Sequence, residues 1–140
     1  MAGFTFRARE SGGAPTILAL TFKDSETLTK GDIVNLETGE IDLAATNDDG
    51  LVGVVLETVV GTASTSTARC IVDEDAIHGV VDANARLIGA TLDITGSTGA
   101  QSVTTSSNKE FVVARNSSAT EETLVRINPN HHWSAGTAIA

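Results

Sequence analysis

Apolar residues recur along this chain in short alternating runs, and turn residues interrupt them every few positions. In "GDIVNLE" (31–37) Val34 and Leu36 share one face of a strand, and in "EIDLAA" (40–45) Ile41 and Leu43 do the same. The Thr38-Gly39 pair between them is a two-residue hairpin signal. An earlier strand is predicted over "TILALTFK" (16–23), followed by a polar turn around Asp24-Ser25-Glu26. The run "LVGVVLETVV" (51–60) is apolar at successive positions, which suits a strand covered on both sides or one lying at a subunit interface. A Ser/Thr loop leads into a strand ending at Asp73, and further strands are expected at 86–95, 100–107, 109–116 and 123–128. Pro129 ends the last because it cannot donate to a ladder. Residues 75–81 are less regular and read as a short helix or a connection. Helical periodicity is nowhere sustained. The fold class is all-β, a small β-barrel or β-sandwich.

The pattern occurs twice. "GDIVNLETGEIDLAATNDDGLVGVVLET" and "GATLDITGSTGAQSVTTSSNKEFVVARN" align with Gly31 over Gly89, Val34 over Leu92 and Leu36 over Ile94. The Thr-Gly turn returns at Thr98-Gly99 after a longer turn, then Leu43 falls over Val103, Leu51 over Phe111 and Val52 over Val112. Each copy closes on a strand containing one arginine, "STARCIV" and "TLVRIN". The chain therefore reads as one all-β domain over 16–128, with a duplication of 30–72 in 86–128, and its two layers pack their apolar faces together.

Both ends differ from this body. Residues 1–15 read as an extended arm: Phe4 and Phe6 alternate with polar residues, Arg7 and Arg9 add charge, and Gly12-Gly13 supplies a hinge. Residues 129–140 read as a tail in which Trp133 anchors into a pocket of its own or a neighbouring subunit.

Charge narrows the partners. A net charge of −9 disfavours nucleic acid, whose phosphates require Lys and Arg. No apolar run is long enough to span a membrane, and the first residues lack the apolar stretch of a signal peptide, so synthesis and use without export are expected. The four phenylalanines and one tryptophan make a thin aromatic core, for which oligomerisation is a common remedy.

Candidate chemistry is sparse. Cys70 sits among small and apolar neighbours and reads as a buried small hydrophobe without a base to activate it. Asp73, Glu74, Asp75 and His78 lie close together, but on a strand they would face alternate sides, and a solvated acidic turn is the expectation. "TNDDG" (46–50) lacks the later bidentate Glu of a calcium loop and reads as a turn. His131 and His132 point to opposite sides of an extended chain, which disfavours joint chelation. Neither a phosphate loop nor a Gly-x-Ser-x-Gly elbow occurs, and the sequon at Asn116 has no use without export.

The run Gly-Asp-Ile-Val-Asn-Leu, the Thr-Gly turn, an Ala/Thr-rich strand, "GLVGVVLET" and the late "ARCIV" together resemble small capsid decoration (cement) proteins of tailed bacteriophages. The resemblance covers 30–72 and, more loosely, 86–128. It implies an all-β homotrimer at three-fold or quasi-three-fold positions on the outside of a phage head. There it would clamp major capsid protein subunits against internal pressure, after synthesis in the host cytoplasm. It implies no catalysis and no cofactor, and a terminus that reaches the capsid. The residues expected to bind the capsid are Phe4, Phe6, Arg7 and Arg9 of the arm. Those expected at the trimer interface are Leu51, Val52, Val54, Val55 and Leu56, with Trp133. A tail, baseplate or head-fibre protein shares the composition. A carbohydrate-binding β-module would normally expose aromatics, and a small hydrolase would need a nucleophile–base pair.

Overall fold

The computed structural model describes residues 3–22, 26–61, 66–105 and 107–135. The first strands are β1 (Phe4–Arg9), β2 (Ile17–Thr21), β3 (Thr27–Leu28), β4 (Ile33–Glu37), β5 (Glu40–Leu43), β6 (Leu51–Val54), β7 (Val59–Val60) and β8 (Thr67–Ile71). They are followed by β9 (Ala76–Val81), β10 (Thr91–Thr95), β11 (Ser102–Thr105), β12 (Phe111–Val113) and β13 (Glu122–Ile127). Two single 3-10 turns, Pro129–His131 and Trp133–Ala135, close the described chain, which contains no α-helix. The class is all-β, built from antiparallel sheets.

The two halves share one plan. β4 lies between β5 and β6, as β10 lies between β11 and β12. Beyond β6 the Val55–Cys70 bridge joins β8, as β13 follows β12, and β2 flanks β8 as β9 flanks β13. The hydrogen bonds match as well. Gly31 N donates to Val55 O and Gly89 N to Val113 O, each at 2.9 Å. Val55 N donates to Asp32 O and Val113 N to Ala90 O, each at 2.8 Å. Asp32 N reaches back to Thr29 O, and Ala90 N to Leu87 O. Gly31 and Gly89 both take positive φ, +96° and +87°, which glycine tolerates without the Cβ clash other residues meet. Even the Leu28–Val59 pair of β3 and β7 has its counterpart in the Arg86–Ser117 bridge.

These ladders correct part of the sequence alignment. Gly31, Val34 and Leu36 do match Gly89, Leu92 and Ile94. Leu36 pairs with Ile41, however, and Ile94 pairs with Val103, so Ile41 rather than Leu43 is the counterpart of Val103. Likewise Gly53 and Val54, not Leu51 and Val52, match Phe111 and Val112. Each displacement is two residues, which keeps the side chain on the same face and is invisible to a period of two.

Two apolar cores result. Phe4, Ile33, Leu51, Val54, Leu92, Ile94, Phe111 and Val125 contribute to one, and Phe22, Leu28, Val34, Ile41, Val52, Val55 and Cys70 to the other. β4 and β6 send alternate side chains into each, so the apolar run of 51–55 is covered on both sides within one chain. The run does not continue as a single strand to residue 60. It breaks at Val55, and β7 pairs separately with β3.

Two expectations are revised, and the anchoring of the tail by Trp133 is met within the chain itself. Residues 4–9 are not a detached arm: β1 pairs antiparallel with β9 at the end of the six-stranded sheet, because Phe4 fills a core position and stacks on Phe111 at 5.3 Å. Gly12-Gly13 is the turn that leads from β1 towards β2. Residues 76–81 are a strand, β9, held between β1 and β13; five successive positions are buried, so no alternation marks it. Residues 129–135 are packed onto the body, with His132 bridged to Leu51 and Trp133 Nε1 donating to Val72 O at 3.1 Å. The expected turn at Asp24-Ser25, part of the Ser/Thr loop (62–65), Ser106, the start of the arm (1–2) and the end of the tail (136–140) lie outside the described residues.

Candidate functional site

The residues first considered for capsid contact are engaged inside the fold. Phe4 is 3% exposed. Phe6 sits edge-on to His78, ring centroids 6.2 Å apart. Arg7 makes a bidentate pair with Glu122, at 2.7 and 2.8 Å, across the neighbouring Gly79. Arg9 binds Asp75 at 2.9 Å with Asp73 close by. The arginines thus fasten β1 to its own sheet, a local electrostatic match inside an acidic chain.

The residues first considered for a trimer interface are also used internally. Leu51, Val52, Val54 and Val55 are buried in the two cores, with Leu56 and Trp133 packed against them. A covered strand and a subunit interface give the same sequence pattern, and here the covering comes from the chain itself.

The acidic cluster is divided among structural tasks. Asp73 accepts Thr16 N at 2.6 Å, and Asp75 accepts the backbone and hydroxyl of Ser11 as well as Arg9. Those hydrogen bonds, Ser11 first, hold the Asp75 carboxyl down to about 2. Glu74 accepts the Ser134 hydroxyl at 3.2 Å. His78 lies apart from them, fully buried, with no hydrogen-bond partner on either ring nitrogen. Burial, and then the nearby His132, push it down to about 4, so it is neutral near pH 7. His131 turns outward to Asp49 at 3.0 Å while His132 is buried, so the adjacent rings diverge. Among the described residues no group of three or more His, Cys, Asp and Glu side chains is placed to hold a metal ion. Cys70 is buried, and burial, with Glu57 adding to it, pushes its thiol up to about 12, the state of an unreactive core residue.

What the molecule leaves open is apolar surface held on fixed backbone. Ile17 and Leu18 on β2 are nearly half exposed, and the edge of β2 away from β8 meets β5 at the Phe22–Ile41 bridge but is open among the described residues beside Ile17 and Leu18. The matching strand β9 has that edge filled by β1. Leu87 and Ile88 are 72% and 63% exposed at a turn. That turn is held by Arg86–Asp82 (2.6 Å), by Ile88 N donating to Asn116 Oδ1 (2.7 Å) and by the Arg86–Ser117 bridge. A groove of about 650 Å3 runs beside β1, lined by Phe6, Leu56 and Val81 with Arg7, Lys30 and Glu122 around it. Sequence reasoning passed over Leu87 and Ile88. The available signal was two adjacent large apolar residues just before a turn glycine, since neighbours on a strand cannot both face one core. No protein-family model matches the chain, and comparison with curated proteins finds no similar one.

Proposed function

We propose that this chain is a capsid decoration protein, a homotrimeric virion component that binds the outer surface of a phage head and stabilises its lattice. The observation that carries this reading is the open, apolar edge of β2. Its counterpart β9 is completed by β1, whereas β2, among the described residues, pairs with β8 and meets β5 only at the Phe22–Ile41 bridge, which leaves Ile17 and Leu18 outside. An edge of this kind accepts an extended strand from a partner: main-chain hydrogen bonds supply affinity and alternate side chains supply selectivity. Well-buried cores surround it, so the surface is presented rather than improvised. In this reading the partners are the major capsid protein and further copies of the chain. It needs neither a catalytic step nor a cofactor, and involves no nucleic acid or membrane.

The test is co-sedimentation with purified, expanded capsid shells. Wild-type protein should pellet with shells at saturable stoichiometry, and Leu18→Lys should abolish binding while its circular dichroism stays unchanged. Absence of binding to shells, with binding instead to tail or fibre assemblies or to a glycan array, would replace this reading by one of those alternatives.

A further inference from the structure

Each half of the chain carries a turn that acts as a seat and a hairpin tip that can occupy one. In the first half the seat is 29–32, and it is filled. The tip of the β10–β11 hairpin lies on it: Thr98 Oγ1 donates to Asp32 Oδ2 at 2.6 Å and Gly99 N to Asp32 Oδ1 at 2.9 Å. The start of β1 covers the rest, since Phe4 N donates to Gly31 O at 2.8 Å and a Cβ on Gly31 would meet Phe4 O at 3.1 Å. In the second half the matching seat is 87–90, and it is bare. A Cβ on Gly89 would meet nothing within 4 Å, and Leu87 and Ile88, the counterparts of Thr29 and Lys30, stand in the open. The matching hairpin tip, Thr38-Gly39 between β4 and β5, is bare too, with nothing within 4 Å of a Cβ on Gly39.

We infer that the empty seat of one copy takes the empty hairpin tip of a second copy, so that the contact between chains repeats the contact between the two halves of one chain. Charge supports this occupant. Glu37 and Glu40 stand directly opposite each other at the base of the tip, a like-charged pair that no cation offsets among the described residues. Beside the seat, next to the Asn116 that anchors Ile88, Arg115 is exposed and makes no ion pair among the described residues. The seat also differs from its filled counterpart in one respect that fits an intermolecular contact. Ala90 replaces Asp32, so the gain comes from covering Leu87 and Ile88 rather than from hydrogen bonds to a carboxylate.

Tip and seat are different patches, so the contact is heterologous and must either close into a ring or grow. Closure at three copies would fill every seat and every tip, three within chains and three between them. This deepens the trimeric part of the proposed function and rests on it, but not on the capsid.

Sedimentation velocity of the full chain, with no capsid present, is the test. Wild type should sediment as a trimer at micromolar concentration, and the double variant Leu87→Asp with Ile88→Asp as a monomer. Arg115→Glu should weaken assembly by about tenfold or more, and Glu40→Arg in the same chain should restore it. Paired cysteines, Glu40→Cys with Ile88→Cys, should give oxidised species that end at three chains. If the double aspartate variant loses its folded circular dichroism signal, Arg115→Glu and its rescue decide the matter. A wild-type trimer indifferent to these changes overturns the contact and leaves the trimeric reading standing. A wild-type monomer overturns both, while shell co-sedimentation still judges the decoration role by itself.

Discussion

The meander β4–β6 in the first half is buried on both faces, whereas its counterpart β10–β12 is buried on one and, Asp93 apart, only partly covered on the other. Ile33, Leu51 and Val54 face one core and Val34, Val52 and Val55 the other. In the second copy Leu92, Ile94, Val103 and Phe111 face the shared core, while Thr95 and Thr104 face outward. One strand order thus serves two roles, and the difference lies in the residues between the matched positions. The doubly covered copy sets the relation between the halves; the singly covered copy keeps a surface. Substitutions at matched positions should therefore have unequal effects.

The largest effects are expected at Gly53 and its counterpart Phe111, where one site cannot accept a Cβ and the other cannot lose a ring. Gly53 sits at an irregularity in the β4–β6 ladder with φ +154°, and a Cβ there would lie 2.0 Å from Ile71 O. That contact is to backbone, which cannot swing aside. Gly53→Ala should cost about 3 kcal/mol or more and leave little soluble folded protein. Phe111→Ala removes the ring stacked on Phe4 and should cost about 3–5 kcal/mol in urea unfolding if the cavity stays open. A Gly53→Ala protein of wild-type stability would show that β6 is not pressed against β8.

His78 on β9 matches Leu18 on β2, since Val125 and Cys70 are their respective partners. One is a buried titratable group and the other an exposed apolar one. The folded-state value of His78 is lowered to about 4, so the unfolded chain binds the extra proton first as pH falls. Its contribution is intact above the unfolded value of about 6.5 and is lost on the way down to the folded value, at about 1.4 kcal/mol per pH unit. Denaturant midpoints measured from pH 7 to pH 4 should fall accordingly, and His78→Leu should flatten that slope. An equal slope in the variant would assign the acid sensitivity elsewhere.

The matched pair Val54 and Val112 should separate by less. Val54 is buried and Val112 only half-buried. Val54→Thr buries a hydroxyl and should cost about 1–3 kcal/mol, against about 0.5 kcal/mol or less for Val112→Thr. Equal costs in thermal or urea unfolding would mean the outer face of β12 is covered in solution.

Much of this difference was legible in the sequence, and the rest was hidden for physical reasons. The all-β class, the Thr38-Gly39 hairpin and the start of the duplication at Gly31 and Gly89 followed from turn chemistry and a period of two. The later register did not, because displacement by two residues preserves the face. The run 51–55 announced burial on both sides without saying what does the burying. Burial of β9 on both faces erased the alternation that would have marked it as a strand. Phe4, Arg7 and Arg9 looked like a mobile arm because their partners, Phe111, Glu122 and Asp75, lie more than sixty residues away. For Leu87 and Ile88 the sequence signal was two adjacent large apolar residues before Gly89, and their counterpart, the filled turn at Thr29 and Lys30, showed what that surface lacks.

The smallest expected difference between matched positions concerns the loops that feed the third strand of each meander, where Asn35 and Asp93 correspond. Asn35 Oδ1 accepts Gly50 N at 2.9 Å. Asp93 does the same task with charge, accepting the amides of Ser107, Asn108 and Lys109 at 3.0, 2.9 and 2.8 Å. Burial pushes the Asp93 carboxyl up, but the hydrogen bonds from Ser107, Lys109 and Asn108 outweigh it and leave it lowered. A lowered folded-state value means that its contribution is present above the unfolded value of about 3.9 and is lost as pH falls through the folded one. Asp93→Ala should therefore cost about 1.5–3 kcal/mol at pH 7, the range for hydrogen bonds to a charged group, with the cost shrinking in acid. Asn35→Ala should cost about 1 kcal/mol at either pH, because a neutral amide does not titrate. Midpoints of urea unfolding for both variants, each referred to wild type at pH 7 and again in acid, measure the two slopes. If the Asp93→Ala deficit is unchanged in acid, the carboxylate's charge contributes nothing, and the two loops are held alike.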